Sequence, residues 1–586
     1  MINARQDLVA RFLGDEALRE RVVLLLGRTH DTHRLVQKFA LGRGDPDDLL
    51  DLAKTIYAAR DIAGLLTTAA GKAAADDDPL ATMAARIGLD DGPLDLARRI
   101  QDSVDEEGLV RQHRLEDGEA GELMALAQSV VSSEADPDDA AASLPKKAAA
   151  AAKKRPASLR EHYAEDNEAW TMRPGASPAL ARLHGDLAAL AEERVALTDT
   201  LRRRLGAASL TLRWTPGLGH VCHVRGRGDA QKLAADGGLR TLAARRTTRS
   251  LHEPAWTALG GRLDAARLRI RTEEARVFAG LRAAVVRALV RLRSGAAALD
   301  ELDVACAFAR LASERRLVRP RVTRGAAHHV VGGRHPAVEA GLAEAGRSFA
   351  ANDCRVGCAG HGRAWLVTGP NMAGKSTFLR QNALITVLAQ AGAYVPADYA
   401  ELGVVDAIYS RVGSADNLYR DQSTFMVEML ETAAILRRAT ARSFVVMDEI
   451  GRGTTPEDGA AVAYAALHHL VTVNRCRTLF ATHFHALADL AAADGLMVGG
   501  PAAGDGGIET YCTDVEETGD GGFVYVHKLR KGVNRQSHAL KVAMLAGLPE
   551  RAIDVARRVL DAPSHAEAAD GAADQQPQTK TGEAVG

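Results

Sequence analysis

The glycine-rich segment 369–376 constrains the fold of this 586-residue chain more than any other feature. Its sequence, GPNMAGKS, fits the pattern Gly-x4-Gly-Lys-Ser and lies between the apolar run 364–368 and a helical pattern that begins at Thr377. A strand, a glycine-rich turn and a helix in this order form a phosphate-binding loop, in which backbone N–H groups surround phosphate oxygens. Apolar runs alternate with helical patterns from about residue 334 to residue 560. This alternation predicts an α/β domain around the loop.

Two residues of the loop have distinct expected roles. Lys375 is expected to reach the β and γ oxygens of a nucleotide, and the Ser376 hydroxyl is expected to ligate Mg²⁺. The glycines allow the backbone to approach phosphate closely. The predicted nucleotide-binding residues here are Gly369, Pro370, Asn371, Met372, Ala373, Gly374, Lys375, Ser376 and Thr377.

Acidic residues and a histidine follow two further apolar runs. A phosphate-binding loop requires a carboxylate at the end of another core strand, and the run 444–447 is followed by Asp448 and Glu449. Asp448 is expected to hold Mg²⁺, directly or through water, and Glu449 to orient or deprotonate the attacking water. His483 follows the run 478–482, where it could sense the γ-phosphate. A histidine at a strand end is more often structural, but its place after the loop and the acid pair favours a functional role.

The first part of the chain has helical periodicity. Apolar residues recur at spacings of three and four from Gln6 to about residue 131, which predicts a helical domain. The segment 133–158 interrupts this pattern with acidic residues, an alanine run and lysines, and we expect it to be disordered or a frayed helix. Its lysines suit a solvated linker, with nuclear import or DNA contact as the alternative.

Two long leucine-rich helices follow this segment. One keeps heptad spacing over 180–201, and the other extends over about 254–292. These apolar stripes predict an antiparallel coiled-coil arm. Between the helices, 209–214 and 220–225 alternate with a period of two, which predicts two strands.

The region between the two helices concentrates positive charge. Over 225–249, seven basic residues stand against only two acids, Asp229 and Asp236, a local net charge of +5 in a chain whose 74 basic and 75 acidic residues give −1. A basic tip suits phosphate contact, because each neutralised phosphate releases counterions. A merely solvated loop is the alternative. The basic residues are Arg225, Arg227, Lys232, Arg240, Arg245, Arg246 and Arg249.

Composition excludes several classes of protein. Apolar residues make up 46% and charged residues 25% of the chain, which excludes collagen-like and wholly disordered proteins. The net charge of −1 provides no global field for nucleic acid or membrane. No apolar stretch approaches the roughly 18 residues of a membrane span, so we expect no membrane partner. Six scattered cysteines without a Cys-x-x-Cys pair indicate a reducing, intracellular compartment.

Four motifs resemble the MutS family of DNA mismatch-repair ATPases, which are ABC-type P-loop proteins. They are GPNM at 369–372, STFMVEM at 423–429, DEIGRGT at 448–454 and ATHF at 481–484. The resemblance implies an ATPase that binds mismatched double-stranded DNA, ATP and Mg²⁺ and acts as an ATP-dependent sliding clamp. It also implies a homodimer or a heterodimer with a MutS paralogue.

The same resemblance implies a multidomain architecture, with an all-α lever domain, an inserted coiled-coil and β clamp, and an α/β P-loop ATPase domain. The expected segments are a helical lever at 1–172 with its insertion at 133–158, a clamp arm at 173–292 with a β-rich basic tip at about 206–250, a returning lever helix at 293–330, an ABC-type ATPase domain at 331–546, a C-terminal helical dimerisation segment at 547–562 and a disordered tail at 563–586.

Individual residues take expected roles from the family. Ser423 matches the signature serine that completes the ATP site of the opposite subunit, although a helix N-cap also favours serine. Phe349 and Asn352 fall where the family's adenine-contacting segment lies, although an apolar residue before a strand is more usually core. The likeness to the family's clamp strengthens the DNA-contact interpretation of the basic tip, 225–249.

Departures from the family leave alternatives open. Family members that recognise mismatches carry a Phe-x-Glu wedge in an N-terminal domain, and its ring unstacks the mismatched base. None of the eleven phenylalanines here has Glu two positions later, and the resemblance begins at Asn3. The chain is then a truncated mismatch sensor or a wedge-free clamp for branched or recombination DNA. A third class, an ABC-type transporter or chromosome-structural ATPase, requires a membrane partner or much longer coiled-coil arms.

Local features also indicate a branch of the family. The sequence after Thr454, the Ala/Lys-rich insertion and the segment 218–220 resemble the fungal mitochondrial branch more than the bacterial protein. Ala373 occupies a loop position often filled by glycine, which one methyl group should not disturb. A mitochondrial location is therefore expected, with the nucleus as the alternative, although the segment 1–7 shows no targeting pattern.

Overall fold

The computed structural model divides into two compact units. One comprises Glu16–Val304, and the other comprises Met1–Asp15 together with Ala305–Gly586. The described residues are 1–70, 78–88, 91–114, 169–215, 217–235, 240–245, 247–370, 373–412, 424–504, 506–517, 523–535, 540, 543–544 and 546–561. The predicted insertion at 133–158 and the tail at 563–586 lie outside these residues.

Helices with apolar faces build the first part of the unit Glu16–Val304. Carboxylates of Asp31 and Asp78 accept hydrogen bonds from the backbone N–H groups of Arg34 and Leu80, which caps two of these helices. The helices are Glu16–Leu26, Thr32–Ala40, Pro46–Ala70, Pro79–Ile87 and Asp91–Ser103. Their buried core includes Leu35, Val36, Phe39, Leu49, Leu52, Ile56, Leu96 and Ile100. The three- and four-residue spacing of these side chains therefore predicted the helical fold of this region correctly.

Two long helices, Pro178–Leu205 and Pro254–Arg287, pack against each other as an arm. The N-terminal part of the first helix shares a core with the C-terminal part of the second, where Leu180 meets Ile270 and Leu281. At the other end, Leu201 clusters with Trp256. The two helices therefore run antiparallel, as their leucine spacing predicts.

The second arm helix ends earlier than its sequence pattern predicts. It stops at Arg287, and a further helix spans Leu289–Arg315. The lever helix expected over 293–330 therefore ends at Arg315, because Arg316 adopts a left-handed backbone conformation with φ of +51°. Pro320 follows and favours extended backbone at Arg319, so the chain enters a strand instead of continuing the helix.

A small sheet lies between the two arm helices in sequence. Its strands are β1 (Thr211–Thr215), β2 (Gly219–Arg225), β3 (Thr241–Ala244) and β4 (Thr248–Leu251), in the antiparallel order β1-β2-β4-β3. The helix Arg227–Ala235 joins β2 to β3. Leu212, Cys222 and Leu251 bury one face of the sheet in the core that contains Trp256. The two strands predicted before and after Pro216 are confirmed.

Two sheets organise the unit that contains Ala305–Gly586. The first has the order β5-β9-β6-β7, and the second has the order β10-β11-β12-β8-β13-β14. In the second sheet β10, β11, β12, β8 and β13 are parallel, and β14 pairs antiparallel with β13. The strands are β5 (Arg321–Thr323), β6 (His328–Gly333), β7 (Asn352–Val356), β8 (Ala364–Thr368), β9 (Tyr399–Gly403), β10 (Ile408–Arg411), β11 (Phe444–Asp448), β12 (Arg477–Ala481), β13 (Ile508–Glu517) and β14 (Phe523–Lys531).

The central strands of the six-stranded sheet are buried on both faces. In β11, Phe444 and Val446 contribute to one core, and Val445 and Met447 contribute to another. This explains why the strands appear in the sequence as continuous apolar runs without alternation. The helices of this unit are Ile2–Gly14, Pro336–Glu344, Lys375–Ala391, Thr424–Arg438, Pro456–His469, Ala486–Ala493 and Glu550–Asp561. The predicted alternation of strands and helices is confirmed.

Within the part of the chain that the structure describes, no helix combines the length and the apolar character that a membrane crossing requires.

His328 links the two sheets to the helix Lys375–Ala391. Its ring is 2% exposed, lies 4.8 Å from the Phe444 ring centroid, and has Nε2 3.0 Å from the Asn382 Oδ1. Burial is the main cause that lowers the pKa of His328 from 6.5 to about 4. The imidazole is therefore neutral in the folded protein at pH 7.

We expect the free energy of unfolding to fall as the pH drops from about 6.5 to about 4. In that window the unfolded chain binds a proton at His328 and the folded chain does not, a difference on the order of 3 kcal/mol. Urea unfolding at pH 7 and pH 5 measures the upper part of this window, a loss of about 2 kcal/mol. His328→Gln should reduce the loss, and the exposed His468→Gln should not; equal pH dependence in both variants would contradict the assignment.

Candidate nucleotide-binding site

The glycine-rich loop lies at the carboxyl end of β8, between β12 and β13 in the sheet. Gly369 and Gly374 have φ of +141° and +93°, values that residues other than glycine rarely adopt. A Cβ atom at Gly369 would lie 2.1 Å from the Thr513 hydroxyl oxygen. The two glycines are therefore required by the shape of the loop, and Gly374 begins the helix Lys375–Ala391.

Lys375 places a buried ammonium group inside the loop. The side chain is 3% exposed, and Nζ donates hydrogen bonds to the carbonyl oxygens of Gly369 at 2.7 Å and Pro370 at 3.0 Å. Nζ also lies 3.8 Å from Oε1 of Glu449. Burial lowers the pKa of Lys375, while the Glu449 and Asp448 carboxylates oppose that shift. A buried cation in this position suits a polyanionic ligand.

Asp448 ends β11 with a carboxylate that faces the loop. The residue is 7% exposed, burial raises its pKa, and a hydrogen bond with Ser376 partly offsets that rise. Its Oδ1 atom is buried and has no hydrogen-bond partner among the described residues. The Ser376 hydroxyl and this carboxylate are oxygen donors of the kind that Mg²⁺ prefers. The pair therefore fits a nucleotide-bound Mg²⁺, which completes its coordination with phosphate oxygens and water.

The described residues hold no cluster of three or more His, Cys, Asp and Glu side chains suited to a metal ion. This agrees with the chemistry of Mg²⁺, which is usually held by one or two carboxylates together with substrate phosphates. Ser376 and Asp448 form a set of this kind at the loop.

Glu449 follows Asp448 in a conformation that non-glycine residues rarely adopt. Its φ is +51°, and its N–H donates to the carbonyl oxygen of Ala481 at 2.9 Å. Oε2 accepts a hydrogen bond from Arg452 at 2.9 Å, and Oε1 faces Lys375. Strained backbone of this kind is common at functional sites. The turn directs the carboxylate toward Lys375 of the loop.

His483 follows β12 on the same side of the sheet. The preceding residue, Thr482, donates its N–H to the carbonyl oxygen of Val367 at 3.0 Å, which fixes the end of β12 beside the loop. The His483 ring centroid lies 4.0 Å from that of Phe484. Burial lowers the pKa of His483, and the Glu449 carboxylate opposes that shift. His483 is therefore neutral at pH 7 and can donate or accept a hydrogen bond.

Asn352 lies at the start of β7 and is 5% exposed. Its amide nitrogen donates to the carbonyl oxygens of Ala350 at 3.1 Å and His527 at 2.8 Å, and its Oδ1 accepts from the N–H of Leu529 at 2.9 Å. These bonds tie β7 to β14. Phe349 is half-buried just before β7. Adenine contact by Phe349 and Asn352 stays a prediction.

His527 is a residue beside the loop that sequence reasoning missed. It lies exposed in β14 with φ of +53°, and its Nδ1 is 3.2 Å from the position that a Cβ atom at Gly374 would occupy. No sequence pattern signals it, because only the pairing of β14 with β13 brings position 527 near the loop.

Several predicted residues lie outside the described part of the chain or are described only in part. Pro370, Ala373 and Thr377 are described, and Ala373 is buried at 1% exposure. The side chain of Lys232 is not among those that the structure describes. The predicted residues outside the described ranges are Asn371, Met372, Ser423 and Arg246.

The predicted DNA-contact residues belong to the other unit. Arg225, Arg227 and Arg245 are exposed at the tip of the arm. Arg249 is half-buried and lies opposite Val224 and Ala244 in the sheet. Together with the exposed Arg240, which directly precedes β3, the first three residues give four exposed guanidinium groups within the small sheet and its connections, which provide a local basic surface.

Two family models match this chain. MutS domain III matches residues 1–309, and MutS domain V matches residues 365–562. The chain belongs to the MutS family. The domain V match contains every described residue of the loop, the acid pair and His483, and the domain III match contains the arm and its basic tip.

Curated relatives of this MutS-family chain carry the name DNA mismatch repair protein MutS. The protein from Azorhizobium caulinodans is 46% identical over 382 residues, which cover 64% of this chain and 40% of that relative. The protein from Dinoroseobacter shibae is 49% identical over 287 residues, which cover 49% of this chain and 31% of that relative. The chain therefore matches less than half of the length of these relatives. Assignment to the fungal mitochondrial branch stays a prediction.

Proposed function

We propose that this MutS-family chain is a Mg²⁺-dependent ATPase of DNA mismatch repair that binds mismatched double-stranded DNA. The observation that carries the proposal is the meeting of Lys375, Asp448 and Glu449 at one phosphate-binding loop, with Lys375 Nζ 3.8 Å from Glu449 Oε1. The names of the relatives support the role in mismatch repair. ATP binding would change how the arm holds DNA, and hydrolysis would reset the cycle.

We assign the chemistry to particular side chains. Lys375 and the N–H groups of the loop would bind the phosphates, and Ser376 and Asp448 would hold the metal ion. Mg²⁺, when bound, supplies neutralisation of charge on the transferred phosphoryl group. Glu449 orients the attacking water and accepts its proton. Neutral His483 donates a hydrogen bond to the γ-phosphate.

The family resemblance extends the proposal to a dimer. Ser423 would complete the ATP site of the opposite subunit, and Phe349 and Asn352 would face the adenine. The helix Glu550–Asp561 exposes Val559 and Leu560, an apolar surface that a second chain could cover. The partner would be an identical chain or a MutS paralogue.

Steady-state ATP hydrolysis tests the proposal most simply. We expect Mg²⁺-dependent turnover that changes when a mismatched duplex is added, and no turnover in the presence of EDTA. Gel-shift competition between a mismatched duplex and a four-way junction then identifies the preferred DNA. Turnover that neither Mg²⁺ nor DNA affects would contradict the proposal.

Removal of the exposed charge at the arm tip should weaken binding to DNA of any base sequence. Each phosphate contact contributes about 0.9 to the slope of log affinity against log salt concentration, so alanine at Arg225, Arg227 and Arg245 should reduce that slope by up to about 3. Fluorescence anisotropy over a range of salt concentrations measures this slope. Alanine at three exposed arginines of the other unit, Arg437, Arg438 and Arg442, is the charge-matched control. The same slope in both triple variants would exclude the tip as the contact surface.

A further inference from the structure

Glu428 places a buried carboxylate between two parts of the unit that contains Ala305–Gly586. It lies on the helix Thr424–Arg438, is 6% exposed, and its Oε1 accepts a hydrogen bond from the N–H of Gly451 at 2.6 Å. Its Oε2 lies 3.3 Å from a guanidinium nitrogen of Arg411, which is 5% exposed. Both oxygens of the carboxylate are therefore engaged, and the charge is neutralised away from solvent.

The Gly451 amide belongs to the turn that follows Glu449. Gly451 has φ of +88°, and a Cβ atom there would lie 2.3 Å from the carbonyl oxygen of Gly459. A Cβ atom at Gly453 would lie 3.1 Å from the Cβ of Phe425. The turn is thus closely packed against backbone on one side and against the helix of Glu428 on the other.

Arg411 fixes the position of Glu428 from the sheet. It is the last residue of β10 and pairs in register with Met447, the residue before Asp448. Its guanidinium also donates to the carbonyl oxygen of Val412 at 2.8 Å and lies 3.1 Å from Glu431. Because β10 and β11 are adjacent parallel strands, the ion pair between Arg411 and Glu428 fixes the position of the turn relative to the strand that carries Asp448.

Glu449 depends on this turn for its unusual conformation. It stands two residues before Gly451 with φ of +51°, a region that costs free energy for any side chain and persists only where surrounding contacts hold it. The Ala481 carbonyl holds the Glu449 N–H from one side. The Glu428 carboxylate accepts a hydrogen bond from the Gly451 N–H, two residues further along the turn.

We propose that Glu428 is a positioning residue for Glu449, and that its hydrogen bond to the Gly451 amide keeps the Glu449 carboxylate beside Lys375. Arg411 supports this role by neutralising and orienting the Glu428 carboxylate. The inference rests on the proposed ATPase function. Glu428 does not act on the nucleotide itself, so its loss affects turnover and leaves ATP binding unchanged.

Steady-state kinetics of the full chain test the proposal. Glu428→Ala should reduce kcat about 100-fold, the effect of displacing a reacting group by roughly 1 Å, with KM for ATP within about twofold of the parent. Glu428→Gln should restore much of the lost turnover, because its carbonyl oxygen can still accept from Gly451. Glu431→Gln is the matched control, because Glu431 contacts Arg411 at the surface and should keep the parental kcat.

Glu428→Ala leaves the buried Arg411 without its partner charge, which could prevent folding. Two double variants in which both positions are neutral therefore complete the design. Arg411→Gln combined with Glu428→Gln keeps the acceptor for Gly451, and Arg411→Gln combined with Glu428→Leu removes it. We expect kcat to be about 100-fold lower in the second pair at similar melting temperatures. Equal kcat in the two pairs, or a loss of ATP affinity that accounts for the fall, would overturn the positioning role. Absence of turnover in the parent chain would overturn the proposed ATPase function, and the positioning role with it.

Discussion

Glu449→Gln should bind Mg²⁺-ATP like the parent chain and hydrolyse it about 10²- to 10⁴-fold more slowly. The carboxamide retains the size of the side chain but cannot accept a proton from the attacking water. ATP affinity should be unchanged, because the loop amides and Lys375 bind the phosphates and Glu449 faces the loop from the end of β11, two strands from β8 in the sheet. Single-turnover hydrolysis and equilibrium binding of a fluorescent ATP analogue separate the two properties.

Glu457→Gln is the control for that substitution. Glu457 is exposed in the first turn of the helix Pro456–His469, eight positions beyond Glu449, and should keep the parental turnover. Parental hydrolysis in Glu449→Gln would remove Glu449 from the role of base. A matching loss of ATP binding would instead assign it to phosphate binding.

Lys375→Met should weaken ATP binding by roughly 100-fold. The substitution keeps the length of the side chain and removes the buried ammonium group, and a hydrogen bond between charged groups in such a site contributes up to about 3 kcal/mol. Stability should not fall, because burial disfavours the charged form of Lys375, as the direction of its pKa shift shows. Titration with a fluorescent ATP analogue in the presence of Mg²⁺ measures the affinity, and thermal melting measures the stability.

The exposed Lys531→Met serves as the matched control for Lys375→Met. It removes the same charge from the same unit at a position on β14 that pairs with Glu509. Its ATP affinity should equal that of the parent. An equal loss in both variants would indicate a general effect of net charge, and no loss in Lys375→Met would exclude Lys375 as a phosphate ligand.

Patterns that lie within one element predicted much of the fold. The heptad spacing of the arm helices and the apolar runs of β8, β11 and β12 each reflect local burial. The four-stranded sheet β5-β9-β6-β7 was not predicted, because β5 is three residues long and pairs with β9, which lies 80 residues further along the chain at Arg321↔Glu401. The early end of the helix at Arg315 also escaped prediction, since the apolar pattern carries no mark of the left-handed turn at Arg316.

The difference between patterns within one element and contacts between elements also explains which site residues the sequence revealed. Asp448 and Glu449 were found because carboxyl ends of parallel strands meet at one edge of a sheet, so acids after apolar runs have a predictable position. The sequence placed Glu428 within the motif at 423–429 but assigned it no role, because its partners Arg411 and Gly451 come from other elements. His527 reaches the loop only through the pairing of β13 with β14.

The proposed function requires that ATP and DNA change each other's affinity, and reciprocal binding experiments measure this coupling directly. In Glu449→Gln, which prevents turnover, the Kd for ATP is measured with and without a saturating mismatched duplex, and the Kd for the duplex is measured with and without ATP. Linkage requires the same factor in both directions, and allosteric proteins typically give about 5- to 150-fold. A shared factor in that range is the predicted result. A factor of one in both directions would show that the two units bind their ligands independently and would contradict the proposed function.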